Sequence, residues 1–101
     1  MKLKKAREVF KRIKGSCTIL IHRHAVESDR QKRRFTDLEL VDLVRNATSL
    51  SEPILPSARG NGSFLLRVKD DRGVLCELGI KILGNEPEEY VLVIHAFRES
   101  V

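Results

Sequence analysis

The run Ser63-Phe64-Leu65-Leu66-Arg67-Val68-Lys69 alternates apolar and polar side chains. So does Val74-Leu75-Cys76-Glu77-Leu78-Gly79-Ile80-Lys81-Ile82-Leu83, and Asp70-Asp71-Arg72-Gly73 lies between them. A period of two is the signature of a half-buried strand. It puts Phe64, Leu66 and Val68 on one face of the first strand, with Arg67 and Lys69 on the other. In the second strand Val74, Cys76, Leu78, Ile80 and Ile82 point inward, and Glu77, Gly79 and Lys81 outward. Asp70–Gly73 reads as a hairpin turn with Gly73 in the left-handed position. Gly84-Asn85-Glu86-Pro87 turns the chain again, and Tyr90–Phe97 is apolar on both faces, as a strand flanked on either side should be. Strict alternation there groups Tyr90, Leu92, Ile94 and Ala96 on a helix-facing side, and Val91, Val93, His95 and Phe97 on the open side. The last forty residues are thus an antiparallel meander.

Upstream, residues 47–62 are rich in Ser, Pro, Gly and Asn and read as a long loop whose one cation is Arg59. Thr36-Asp37-Leu38-Glu39 is a capping box, with Phe35 placed for a hydrophobic staple. The helix it opens is expected to bury Leu38 and Val41, with Leu40 and Val44 as further candidates, and to end near Asn46. A further helix is predicted from His24 to about Arg34. Cys17–His22 is short, apolar and β-branched, hence a strand. Residues 2–14 form a basic amphipathic helix with Leu3, Ala6, Val9 or Phe10, and Ile13 on its apolar stripe and Gly15 as its C′ stop. The fold expected is α+β: helices packed on one face of a mostly antiparallel sheet of about four strands, in a single domain 1–101 whose core follows the helix at 1–15.

At 101 residues with 42% apolar and 33% charged residues, the composition is that of one small globular domain. No apolar run is long enough to cross a bilayer, the basic N-terminus lacks the apolar stretch of a signal peptide, and the narrow stripe of the first helix favours docking on the domain over lying on a membrane. A cytoplasmic location with no membrane partner is expected. Cys17 and Cys76 then read as small buried residues, not a disulfide or metal pair, and neither a metal site nor a cofactor is expected. The formal charge of +5 is uneven: residues 1–34 carry twelve Lys/Arg against three acidic residues, and the remainder carries seven against eleven. Such asymmetry points to a polyanionic partner, RNA or another nucleic acid. Charge kept on exposed helices for solubility is the alternative.

Histidine is the side chain suited to moving protons near neutral pH, and the chain has three: His22, His24 and His95. His24 precedes the run Arg30-Gln31-Lys32-Arg33-Arg34, and arginine offers a planar fork matched to phosphate. His95, by alternation, shares the open sheet face with Arg67, Lys69, Lys81 and Glu77. His22 falls in line with Thr18 and Leu20, with nothing around it to recruit it. Metal-free RNA cleavage needs a base for the 2′-hydroxyl, cations for the charge on phosphorus and an acid for the leaving oxygen, all of which His, Arg and Lys can supply.

His24-Ala25, the arginine-rich segment and Phe35-Thr36-Asp37, followed by a Gly-containing loop and three strands, resemble a small bacterial domain family that opens on a His-Ala…Arg signature. That family is grouped with RelE/ParE-like toxins, whose wider set includes barnase-type and colicin-type ribonucleases. The resemblance covers roughly residues 18–98. Gly62–Val68 and Asp71–Val74 are similar to the family's first hairpin, and Val91–Phe97 to its last strand. His24 matches the signature His and Arg33 its second Arg; Arg30 is an approximate match for the first, and Arg34 and Phe35 stand where the signature has Gly and Ile. The resemblance implies a RelE-like fold and a toxin-type, RNA-binding, metal-independent endoribonuclease. His24 or His95 would be the acid/base, and Arg30, Arg33, Arg34, Arg67, Lys69 and Lys81 would hold phosphate. It also implies an acidic antitoxin as a partner. A non-catalytic nucleic-acid- or protein-binding module of the same fold is the alternative, and a toxin acting on a protein target is a third reading.

Overall fold

The computed structural model describes residues 2–23, 25, 35–51 and 63–99. The predicted helix from His24 to Arg34, apart from Ala25, which is helical and buried, and most of the predicted loop, Arg59 included, lie outside the described residues. Within them the order is α1 (Leu3–Ile13), β1 (Ile19–Ile21), α2 (Asp37–Asn46), β2 (Leu50–Ser51), β3 (Ser63–Lys69), β4 (Leu75–Leu83) and β5 (Tyr90–Arg98). The strands form one sheet in the order β1-β5-β4-β3-β2, with β1 parallel to β5 and every other pair antiparallel. The expected α+β class holds, with five strands in place of about four.

The additional strand is β2, inside the stretch read as loop. Two residues show no periodicity, so nothing in the sequence marks them as a strand. They are held by pairing, Leu50 with Leu66 and Ser51 with Leu65, and by Arg7, whose Nε donates to the Leu50 carbonyl at 2.8 Å.

The core lies between the helices and one sheet face. It joins Ala6, Val9, Phe10 and Ile13 of α1 and Leu40, Leu43 and Val44 of α2 to Phe64, Leu66, Cys76, Leu78, Ile80, Val91 and Val93 of the strands. Each large apolar side chain so buried contributes on the order of 1.5–3 kcal/mol. The alternation of β3 and β4 is as the sequence reads. In α2 the stripe is rotated from expectation: Leu40, Leu43, Val44 and Ala47 are buried, while Leu38 is 77% exposed. Residues two apart lie on nearly opposite sides of a helix, so Leu38 cannot share the face that buries Leu40. The capping box itself is formed: the Glu39 amide donates to the Thr36 hydroxyl and the Thr36 amide to the Glu39 carboxylate, both at 3.1 Å.

Gly73 (φ +80°) takes the left-handed turn position as expected. Gly15 does not act as a left-handed stop, because helix α1 ends through Lys14 in helical conformation and Ile13 accepts from both Ser16 and Cys17. Its carbonyl accepts instead from Arg45 Nη1 at 2.8 Å, while Lys14 Nζ donates to Ala47 at 2.6 Å, a reciprocal tie between the ends of the two helices. Cys17 and Cys76 are free thiols, half-buried and buried, and desolvation pushes both pKa values up.

Strand β5 departs from strict alternation. Gly79 pairs with His95 but Ile80 pairs with Val93, so Ile94 is an extra residue, a β-bulge. The bulge reverses the facing pattern midway. Val91 and Val93 point into the core, then Ala96 and Arg98 do, and His95 and Phe97 are left exposed. Tyr90 and Leu92 therefore lie on the open face and not on the helix-facing side as alternation predicts.

Candidate nucleic-acid interface

The open face is ordered by register. Arg67, Glu77 and Phe97 form one row across β3, β4 and β5; Leu65, Gly79 and His95 form the next; Lys81, Leu92 and, on β1, Leu20 form the third. Lys69 lies beyond the first row, opposite Leu75. Arg67, Lys69, Lys81 and His95 thus share one surface, as expected, and each keeps contact with solvent. His24, Arg30, Arg33 and Arg34 are outside the described residues.

Arg67 is half-exposed and its Nε donates to Glu77 Oε1 at 3.1 Å. One guanidinium edge therefore holds the carboxylate, leaving the Nη groups as further donors. Two apolar side chains stand out on the same surface, Phe97 at 51% and Leu20 at 47% exposed. Sequence reading put Phe97 on this face without assigning it a role. The usable signal was the outward series Glu77, Gly79, Lys81, which leaves a gap in the middle row where a side chain would otherwise stand.

A second polar cluster was not anticipated at all. Arg98, on the inward side of β5, is only 8% exposed and its Nη2 lies 2.6 Å from Glu39 Oε2. Its Nε is 3.6 Å from Asp70 Oδ2, an ion pair too long for a hydrogen bond, and both atoms are buried without a hydrogen-bond partner. The guanidinium also covers the Phe35 ring at 4.3 Å from its centroid. Asp70 Oδ1 accepts from the amides of Arg72 and Val74, both at 2.9 Å, closing the β3–β4 turn. Desolvation pushes the Glu39 carboxyl up, but the Thr36 amide and then Arg98 outweigh it, and its pKa lies below the ordinary value. The Val74 amide is the chief cause that lowers Asp70, ahead of opposing desolvation, with help from Arg72 and Arg98.

Part of the basic charge of α1 and its C-cap is also committed to structure. Arg7 and Lys14 donate to backbone carbonyls, and Arg12 pairs with buried Glu89 at 2.6 Å. A cleft of about 520 Å³ beside that pair, lined by Ser16, Cys17, Thr18 and Tyr90 among others, takes in none of the nominated residues. A second cleft of about 360 Å³ between α2 and the β3–β4 turn takes in Lys69 alone of them. No helix among the described residues is long and apolar enough to cross a membrane.

No protein-family model, curated protein or solved structure matches this chain.

Proposed function

We propose that this chain is a RelE-like, toxin-type domain that binds RNA across the open face of its sheet. One observation carries the reading: Arg67, Lys69, Lys81 and His95, on three strands, share a single face with exposed Phe97. Cations hold phosphates, an aromatic ring stacks on bases, and together they are the usual means of holding a single strand. The helices on one face and the closing meander agree with the architecture that the family resemblance implies. RNA or another nucleic acid is the partner, and an acidic antitoxin would cover the same cations.

Cleavage without a metal is the fuller form of this proposal. His95 is exposed beside the cations that would offset charge on phosphorus, and His24 would supply the second proton-transfer group. Binding without cleavage is the second reading, favoured by the Arg67–Glu77 contact, which already engages one edge of the guanidinium.

Incubating the protein with total RNA in EDTA, beside His95→Ala and Arg67→Gln, separates these. Cleavage products lost in His95→Ala support the endoribonuclease. Salt-dependent binding with intact RNA supports the binding module. No binding at low salt, or binding unchanged in Arg67→Gln, overturns the assignment of this face.

A further inference from the structure

The middle row of the open face lacks a side chain. Gly79 sits in the centre of β4 with Leu65 opposite on β3 and His95 opposite on β5. Glu77 and Lys81, its same-face neighbours along the strand, have Cα atoms about 13 Å apart. A Cβ placed on Gly79 would meet His95 Cβ at 3.3 Å and Ile94 Cγ1 at 3.5 Å. The bulge brings β5 close enough that glycine is the residue that fits here without displacing a neighbour. The result is a shallow dip in the row whose floor is backbone, bounded on the β5 side by the first carbon of the His95 side chain and by Ile94, with half-exposed Phe97 one row away.

A backbone floor beside an exposed aromatic ring suits a flat, planar group. The cations bracket the dip as the phosphates of a chain carrying such groups would require: Lys81 lies on one side, and Lys69 with Arg67, whose charge Glu77 partly offsets, on the other. A duplex presents its bases edge-on and paired, so neither the floor nor the Phe97 ring would be used. An unpaired base flanked by two phosphates uses all of them.

We propose that the dip over Gly79 seats one unpaired base of single-stranded RNA, stacked against Phe97 with His95 at its edge, while Lys81 and the Arg67–Lys69 pair hold the flanking phosphates. This rests on the RNA-binding reading above and adds the strandedness and the seat. Base stacking on an aromatic side chain is worth about 1–3 kcal/mol, roughly fivefold to a hundredfold in affinity.

The test compares binding of a fluorescent single-stranded RNA octamer with the same sequence in a blunt duplex. It uses the full chain and the variants Phe97→Leu, Gly79→Ala, Lys81→Gln and Arg67→Gln. Preference for the single strand, with a loss of fivefold or more in Phe97→Leu and in folded Gly79→Ala, supports the seat. Phe97 is half in solvent, so Phe97→Leu stays informative if Gly79→Ala perturbs the strand. Equal affinity for duplex and single strand, or unchanged affinity in Phe97→Leu while Lys81→Gln weakens binding, overturns the seat and leaves the RNA-binding face standing. Failure of Lys81→Gln and Arg67→Gln to affect binding overturns the face as well.

Discussion

Arg67 and Arg98 are the same side chain on opposite faces of one sheet, and they do opposite things. Arg98 is buried, bridges Glu39 of α2 and Asp70 of the β3–β4 turn, and lies over Phe35. Arg67 has half its side chain in water and one carboxylate partner on the next strand. The difference teaches that cation count says little about where a polyanion binds. The dense basic charge of α1 is partly spent on carbonyls and on Glu89, whereas the sparser cations of the sheet remain available to a ligand.

The sharpest way to break the comparison is Arg98→Met. Removing the buried cation leaves the Asp70 carboxylate only its two amide donors and the exposed Arg72, 3.9 Å away, and is expected to destabilise by about 3 kcal/mol, the low end for a broken buried pair, read from urea unfolding. Stability unchanged within error would mean that the cluster is no more than a surface pair. Acid should act on the same cluster. Glu39 and Asp70 have pKa values lowered by folding, so their contribution is complete above the ordinary carboxylate value of about 4 and is lost as pH falls through the lowered ones. Thermal melts from pH 7 to 2 should show the midpoint falling below about pH 4, with a shallower fall in Arg98→Met. A flat profile in the parent protein would count against the linkage.

Thr36→Ala tests whether α2 is anchored independently of Arg98. Loss of the cap is expected to cost about 1 kcal/mol, and a double-mutant cycle with Arg98→Met should show coupling, because Glu39 serves both. Strict additivity would show the two contacts to be separate. The smallest structural effect is expected at Arg67→Gln: at most about 1 kcal/mol of stability, as for exposed ion pairs. Its consequence should appear instead in RNA binding, as a drop of about 0.7 in the slope of log affinity against log salt. A large loss of stability there, with an unchanged slope, would reverse the roles assigned to the two arginines.

What could be read in the sequence followed from periodicity and local chemistry. The alternation of β3 and β4, the Thr36–Glu39 cap, the left-handed Gly73 and the apolar stripe of α1 are each written within a few consecutive residues. Features set by pairing were not legible. Leu50–Ser51 is a strand because Leu66 and Leu65 lie beside it, and Arg98 is buried because Glu39 and Asp70, 59 and 28 residues away, converge on it. His95 was placed on the correct face from a premise that fails, since Tyr90 and Leu92 share that face. Leu38 was misplaced because its spacing of three from Val41 fits a helical stripe, while the stripe that is buried runs through Leu40, Leu43 and Val44 instead. The dip at Gly79 was half legible: the missing side chain is in the sequence, but the approach of His95 is not.

The extra residue at Ile94 acts as a shift of reading frame within a strand. Upstream of it odd-numbered positions face the core; downstream even-numbered ones do. Run as a regular strand with every residue kept, β5 would turn His95 and Phe97 toward the helices and Arg98 toward water, whereas deleting Ile94 would leave all three facing as they do. The division of β5 into a supporting side and a ligand-facing side therefore depends on a count of residues. An insertion, or a deletion at a paired position that leaves the bulge in place, should be far less tolerated in Val91–Ala96 than substitution or removal of Ile94 itself.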